Sequence, residues 1–422
     1  MTESSLVSKK PWWQKPWGYK ESFVVVAGLL VVGNLLQWFA GYFPYELIAF
    51  PVNFYLLLVI LVVVAVLTFK YKSALFQWLS GVPLSVANIA GLLLYSIFMG
   101  FVPQAPASQD GHSLLGIDAI TRSWPFVLIY LFTLINLSCV TTRRMLNFNW
   151  RDYAFYFNHI GLLLMLFAAG LGATDLRRFV MHVQEGETEW RVYSANNEVL
   201  ELPIAIKLND FYMEEYVPKL AIIDRRTGDF YPSAKTEIWQ IDTLRKSGRI
   251  AHWSIKLEEY IHDAIRMNDS GFRRVQMPGS CPAAKVMVTH TPTGNQLEGW
   301  ISCGNFAQLY MTLPLNDTLL MVMTSPEPKL YRSDIIAYSK SGEVTEHHLE
   351  VNKPLKVGYW TIYQYSFDSE RGKASSYSSF ELVYDPWITG VYAGLILFII
   401  GSVLLIWEGN KKVKFKKDDH LG

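Results

Sequence analysis

The chain has 422 residues, 51% of them hydrophobic and 14% aromatic, with a formal charge of only +1. That composition fits a membrane protein carrying a substantial water-facing part. It excludes a nucleic-acid role, since no basic patch interleaved with aromatics occurs outside the membrane flanks.

The N-terminal stretch, residues 1–21, holds PWWQKPW, aromatic rings beside lysines that suit a membrane interface. It has no apolar core followed by a small-residue cleavage site, so the first span is expected to be an anchor. Apolar runs predict six spans, near 22–43, 47–69, 82–103, 124–141, 154–173 and 387–407. The first five make a bundle over 22–173; a polar stretch, 174–386, separates them from the last span and a basic tail, 408–422.

Lys9, Lys10, Lys15, Lys20, Lys70, Lys72, Arg143, Arg144, Arg151, Lys411, Lys412, Lys414, Lys416 and Lys417 all fall on one side of these spans. The opposite short loops offer only Arg122. Cytoplasmic flanks are enriched in Lys and Arg. The expected arrangement is N-in and C-in, with 174–386 outside.

The fifth span opens FNHIGLLLMLFAAGLG, and its single imidazole, His159, is the residue that most needs explaining. An ionisable side chain within a span is a functional candidate by default. The bland alternative is a histidine hydrogen-bonded to a neighbouring helix, reinforced by Asn158. His112 and His182, on the expected outer side, are weaker candidates for exit-side contacts and read more simply as loop or surface residues.

The 174–386 stretch reads as mainly β, a sandwich or barrel-like domain. Alternating runs mark Ile204–Leu208, Leu220–Ile223, Lys285–Thr289, Leu319–Thr324 and Trp360–Tyr365, separated by turn signals at Arg226–Asp229, Pro292–Asn295 and Lys340–Gly342. The stretch between His252 and His262 looks like a strand passing into a helix, and His347-His348 reads as a solvated strand or loop rather than a metal site. Trp360, Tyr363 and Tyr365 read as core, with partner docking as the alternative.

Cys139 stands alone in the bundle, whereas Cys281 and Cys303 lie 22 positions apart in the outer stretch. An oxidising compartment favours a structural disulfide between them; without a CxxC a catalytic redox pair is the weaker reading. No catalytic residue emerges: GxSxG, GxxxxGK[ST], HExxH and paired-cysteine zinc patterns are all missing.

The segments NHIGLLLMLFAAGLG, VQEGET, ELPIAIKLNDFYMEEY, VNKPLKVGYWTIYQYSF and DPWITGVYAGLILFIIG, in that order, resemble the ResB (CcsB) type of cytochrome c biogenesis protein. The resemblance implies a subunit of a System II complex that moves haem outward and presents it to apocytochrome c for thioether attachment at CxxCH. It implies a CcsA-type haem-handling membrane partner, a thioredoxin-like thiol reductant, and haem b as the group handled, with the bond-forming step belonging to the complex rather than to this chain alone. His159, about five residues or 7–8 Å into its helix, then becomes a haem-iron axial ligand.

The chain departs from the pattern before about Asp152, has six spans where many members have four, and carries Lys353 where some members have histidine. It also lacks the tryptophan-rich haem-handling run of CcsA-type proteins. A haem-free membrane-anchored assembly factor for a respiratory complex fits the topology and composition equally well.

Overall fold

The computed structural model describes residues 13, 15–104, 114–193, 198–232, 237–268 and 271–418, leaving His112 and, of the N-terminal aromatic run, Trp12 outside. The chain divides into two compact units, one running up to Arg177 and resuming at Tyr384, the other spanning Arg178–Val383.

The first unit is helical: α1 (Tyr19–Ala40), α2 (Val52–Phe69), α3 (Ala74–Leu79), α4 (Val82–Phe101), α5 (Trp124–Leu146), α6 (Tyr153–Gly172) and α7 (Ile388–Asp418). Six of these are long and apolar enough to cross a membrane. The exception is α3, a short helix capped by Ser73, whose hydroxyl accepts from Phe76 N. Its Trp78 Nε1 donates to Ser22 Oγ of α1 at 2.9 Å.

Helix α5 is the hub, packing on α1, α2, α4 and α6, while α6 and α7 pack along one another. Apolar side chains gain little by leaving lipid for a helix interface, so buried polar pairs and close backbone approach hold such bundles. Asn136 accordingly donates to Leu79 O at 2.6 Å and accepts from Ser85 Oγ at 3.1 Å.

The second unit is β. Its strands are β1 (Arg177–Gln184), β2 (Thr188–Tyr193), β3 (Val199–Glu215), β4 (Lys219–Asp224), β5 (Ile238–Gln240), β6 (Ser247–Ile250), β7 (Trp253–Asn268), β8 (Gly271–Arg274) and β9 (Cys281–His290). There follow β10 (Gln296–Ser302), β11 (Leu313–Pro314), β12 (Leu319–Met323), β13 (Pro328–Ser339), β14 (Val344–Glu350), β15 (Leu355–Val357), β16 (Trp360–Phe367) and β17 (Tyr377–Tyr384). Gly228, Gly294 and Gly342 adopt φ of +78°, +74° and +88° at the expected turns, a region open to glycine at little cost.

The mainly-β expectation holds, but the unit contains two sandwiches rather than one. Sheets β14-β13-β3-β2 and β1-β17-β16-β15 enclose one core, including Ile206, Leu208, Ile335, Ile362 and Phe380. Sheets β11-β12-β4-β5 and β10-β9-β7-β6 enclose another around Ile222, Ile255, Val286 and Met321. The second sandwich is inserted in the first. Strands β3 and β13 are antiparallel partners whose ends meet at Glu215 and Pro328, so the chain leaves and re-enters at one place.

The sequence suggested that the stretch before His262 turns helical; it is a single strand, β7, running to Asn268. Its pairing with β9 explains the misleading pattern, because register shifts between Leu257 and Glu259 and between Ile261 and Ala264 interrupt strict alternation.

Candidate functional site

Helix α6 presents two faces. One is a seam against α7: Asn158 Nδ2 donates to Ser402 Oγ at 2.8 Å, and glycines allow the backbones to touch. A Cβ on Gly401 would lie 2.1 Å from Asn158 N, one on Gly161 would lie 2.4 Å from Phe398 N, and one on Gly394 would lie 2.5 Å from Met165 N.

The other face looks towards α5. Tyr130 of α5 donates to Leu166 O at 2.7 Å, and the Arg144 guanidinium lies 5.5 Å from the Phe155 ring centroid. One turn further along α6, His159 stacks on Phe155 with ring centroids 3.7 Å apart. This stacking restricts the imidazole plane.

The polar interhelical contact expected of this region is therefore made by Asn158. His159 does not share it: Nδ1 is buried with no partner on a neighbouring helix, and the polar group nearest the ring is the Phe155 backbone one turn back. A buried polar atom without a partner is costly, and a neutral imidazole nitrogen is a natural axial ligand for haem iron. Among the described residues no group of three or more His, Cys, Asp or Glu is placed to hold a metal.

Around the same end lies a cavity of about 600 Å³ between the α3–α4 turn, the end of α5 and the start of α6, with Arg143, Arg144 and Phe155 in its wall. Arg144 is paired with Asp152 through two bonds, Nε to Oδ2 at 3.0 Å and Nη2 to Oδ1 at 2.7 Å.

Several histidines of the β unit are engaged, whereas His347 Nε2 is, like His159 Nδ1, buried without a side-chain partner. His182 Nδ1 is 2.7 Å from Ser379 Oγ, His262 Nδ1 is 3.3 Å from Tyr260 Oη, and His348 Nδ1 contacts Asp334 Oδ1. Trp360 packs against a core as expected, but Tyr363 and Tyr365 do not: they are 38% and 56% exposed, because β16 turns Ile362 and Gln364 inward.

Cys281 and Cys303, the expected disulfide partners, line one cavity of about 370 Å³ as two thiols. Cys281 opens β9 with its sulfur 3.3 Å from Ser302 Oγ, while Cys303 follows the end of β10. Burial pushes Cys303 up to about 12, with Cys281 beside it adding to the rise, and burial raises Cys281 as well. Such thiols are protonated at neutral pH and poor nucleophiles.

Sequence reasoning missed Asp175. Its Oδ1 accepts from Phe50 N at 2.8 Å, and its Oδ2 accepts from Asn53 Nδ2 at 2.8 Å and from Trp387 Nε1 at 2.7 Å. The available signal was an acid just past the C-terminus of a span, where the helix dipole disfavours it unless donors are supplied.

Six spans and a double β insertion before the last of them define a multi-pass membrane protein with a large β unit. The ResB-like family model matches residues 288–378, from within β9 to the start of β17, consistent with a ResB/CcsB-type protein and a role in cytochrome c biogenesis. The matched segment lies wholly in the β unit and does not include His159. No curated protein matches the chain significantly.

Proposed function

We propose that this protein is the ResB-type subunit of a System II cytochrome c synthase, receiving haem b within its bundle and passing it outward with a CcsA-type partner for attachment to apocytochrome c. The observation that carries the reading is His159, an imidazole within a span whose Nδ1 is buried with no partner on a neighbouring helix while Asn158 beside it makes the helix contact.

Haem is the substrate here; its two vinyl groups each take up a client thiol, S–H adding across C=C to form the thioether. The chain's own residues do the holding. His159 offers a nitrogen to the iron, Phe155 fixes the imidazole plane, and the α6–α7 seam fixes the rotation of α6. The basic flanks Lys70, Lys72, Arg143, Arg144 and Arg151 support a cytoplasmic position for that end of the bundle and hence N-in, C-in insertion.

The β unit then faces the compartment where clients are made. Exposed Tyr363 and Tyr365 on β16 supply amphipathic surface for an apocytochrome or its thioredoxin-like reductant. The client thiols must reach the haem reduced. The protonated Cys281 and Cys303 are poorly suited to that reduction, so it falls to a partner.

The test is co-expression with a CcsA-type partner and a CxxCH reporter, reading covalent haem on the reporter. His159→Ala is expected to lose most of the signal and to recover part of it with added imidazole. Unchanged reporter haem in the variant would overturn the reading.

A further inference from the structure

The 600 Å³ cavity at the basic end of the bundle combines features that topology alone does not require. Its wall carries apolar Val82 and Val140, the flat ring of Phe155, and two guanidiniums in different states. Arg144 is already neutralised by Asp152. Arg143 reaches only neutral acceptors at long range, Ser80 Oγ at 3.3 Å and Gln77 O at 3.5 Å, and no carboxylate among the described residues pairs with it.

We propose that this cavity binds the carboxylate arms of a flat dicarboxylate macrocycle, with Arg143 as the anchor and Phe155 as the apolar floor. A guanidinium fork matches a carboxylate bidentately, and the surrounding apolar wall strengthens that pairing relative to open water. Arg144 has a different part: tied to Asp152 and held over Phe155, it keeps the floor in place.

The inference rests on the haem reading and deepens it. His159 stacks behind Phe155, the ring that floors the cavity. His159 does not itself line the cavity; it lies one turn, roughly 5.4 Å, further along α6. The anchor and the iron ligand are separate groups and can be tested apart.

The experiment uses metal-free protoporphyrin IX and its dimethyl ester, titrated by fluorescence into the detergent-purified full chain. Neither has iron, so His159 ligation does not contribute. Wild type is expected to bind the diacid about ten- to a hundredfold more tightly than the diester, the range of one charge-assisted hydrogen-bonded pair. Arg143→Gln is expected to lose that preference without weakening diester binding, and Arg143→Lys to restore part of it; thermal midpoints of all three establish that they are folded.

Equal binding of diacid and diester by wild type, or an unchanged preference in Arg143→Gln, would overturn the proposal. So would a preference abolished by phosphatidylglycerol while porphyrin stays bound, which would make Arg143 a lipid-headgroup site. Failure of the diacid to bind at all also sinks it. In each of these cases the haem spectrum of His159→Ala still decides the parent reading by itself.

Discussion

Asp175 shows how much a single side chain can hold in this bundle. Its carboxylate draws donors from the start of α2, the loop before it and the start of α7, and it is only 8% exposed. Asp175→Ala strands three donors at once and is expected to cost roughly 3 kcal/mol, since hydrogen bonds to charged groups are the strong ones; Asp175→Asn should cost less. A thermal scan in detergent would show it, and an unchanged midpoint for Asp175→Ala would refute the role. Nothing in the sequence revealed the partners, because they lie over 100 positions away in both directions.

Two glutamates of the β unit give opposite pH signatures. Glu189 is held down to about 2, chiefly by hydrogen bonds from the Arg191 side chain. Its contribution is present above the unfolded value of about 4.3 and is lost as pH falls towards 2; it is small, because the pair is exposed. Glu185 is raised, first by burial and then by the Asp210 carboxyl beside it. Its stabilising, protonated form prevails below the unfolded value and is lost as pH rises through the raised one. Glu185→Gln, which mimics that form, should raise the thermal midpoint at pH 7 and have little effect at pH 4. A lower midpoint at pH 7 would contradict this assignment.

At the scale of elements, the α6–α7 pair is held by backbone contact. A side chain at Gly401 or Gly161 has no room, whereas a Cβ added at Gly28 of α1 would meet nothing within 4 Å. Gly401→Val is therefore expected to lower stability by several kcal/mol through overpacking, and Gly28→Ala to leave it nearly unchanged. Equal midpoints for both variants would show that the seam does not hold the helices. The spans themselves were legible because about 20 apolar residues in a row leave few alternatives. Their rotation was not. Whether Asn158 or His159 meets the neighbouring helix depends on which stripe α7 covers, and Ser402 lies 244 positions from Asn158.

At the scale of the whole chain, alternation located strands such as Ile204–Leu208 and Lys285–Thr289, and turn glycines located their ends. It did not disclose that one sandwich is inserted in another, since that rests on β3 pairing with β13 across more than 110 positions. The cysteine spacing likewise said nothing of the cavity that Cys281 and Cys303 share, or of Ser302, which engages the Cys281 sulfur. His159 stood out as a candidate from its residue type and depth alone. That Asn158 rather than His159 takes the helix contact was not legible, because it depends on how α6 is turned towards α7.

The proposed haem handling turns on His159, and the most direct measurement is the absorption spectrum of the detergent-purified full chain, with and without a CcsA-type partner, as wild type and as His159→Ala. A Soret band is expected in wild type and should be lost or strongly shifted in the variant. A colourless wild type with its partner present, or a band indifferent to His159, would contradict haem binding at this imidazole.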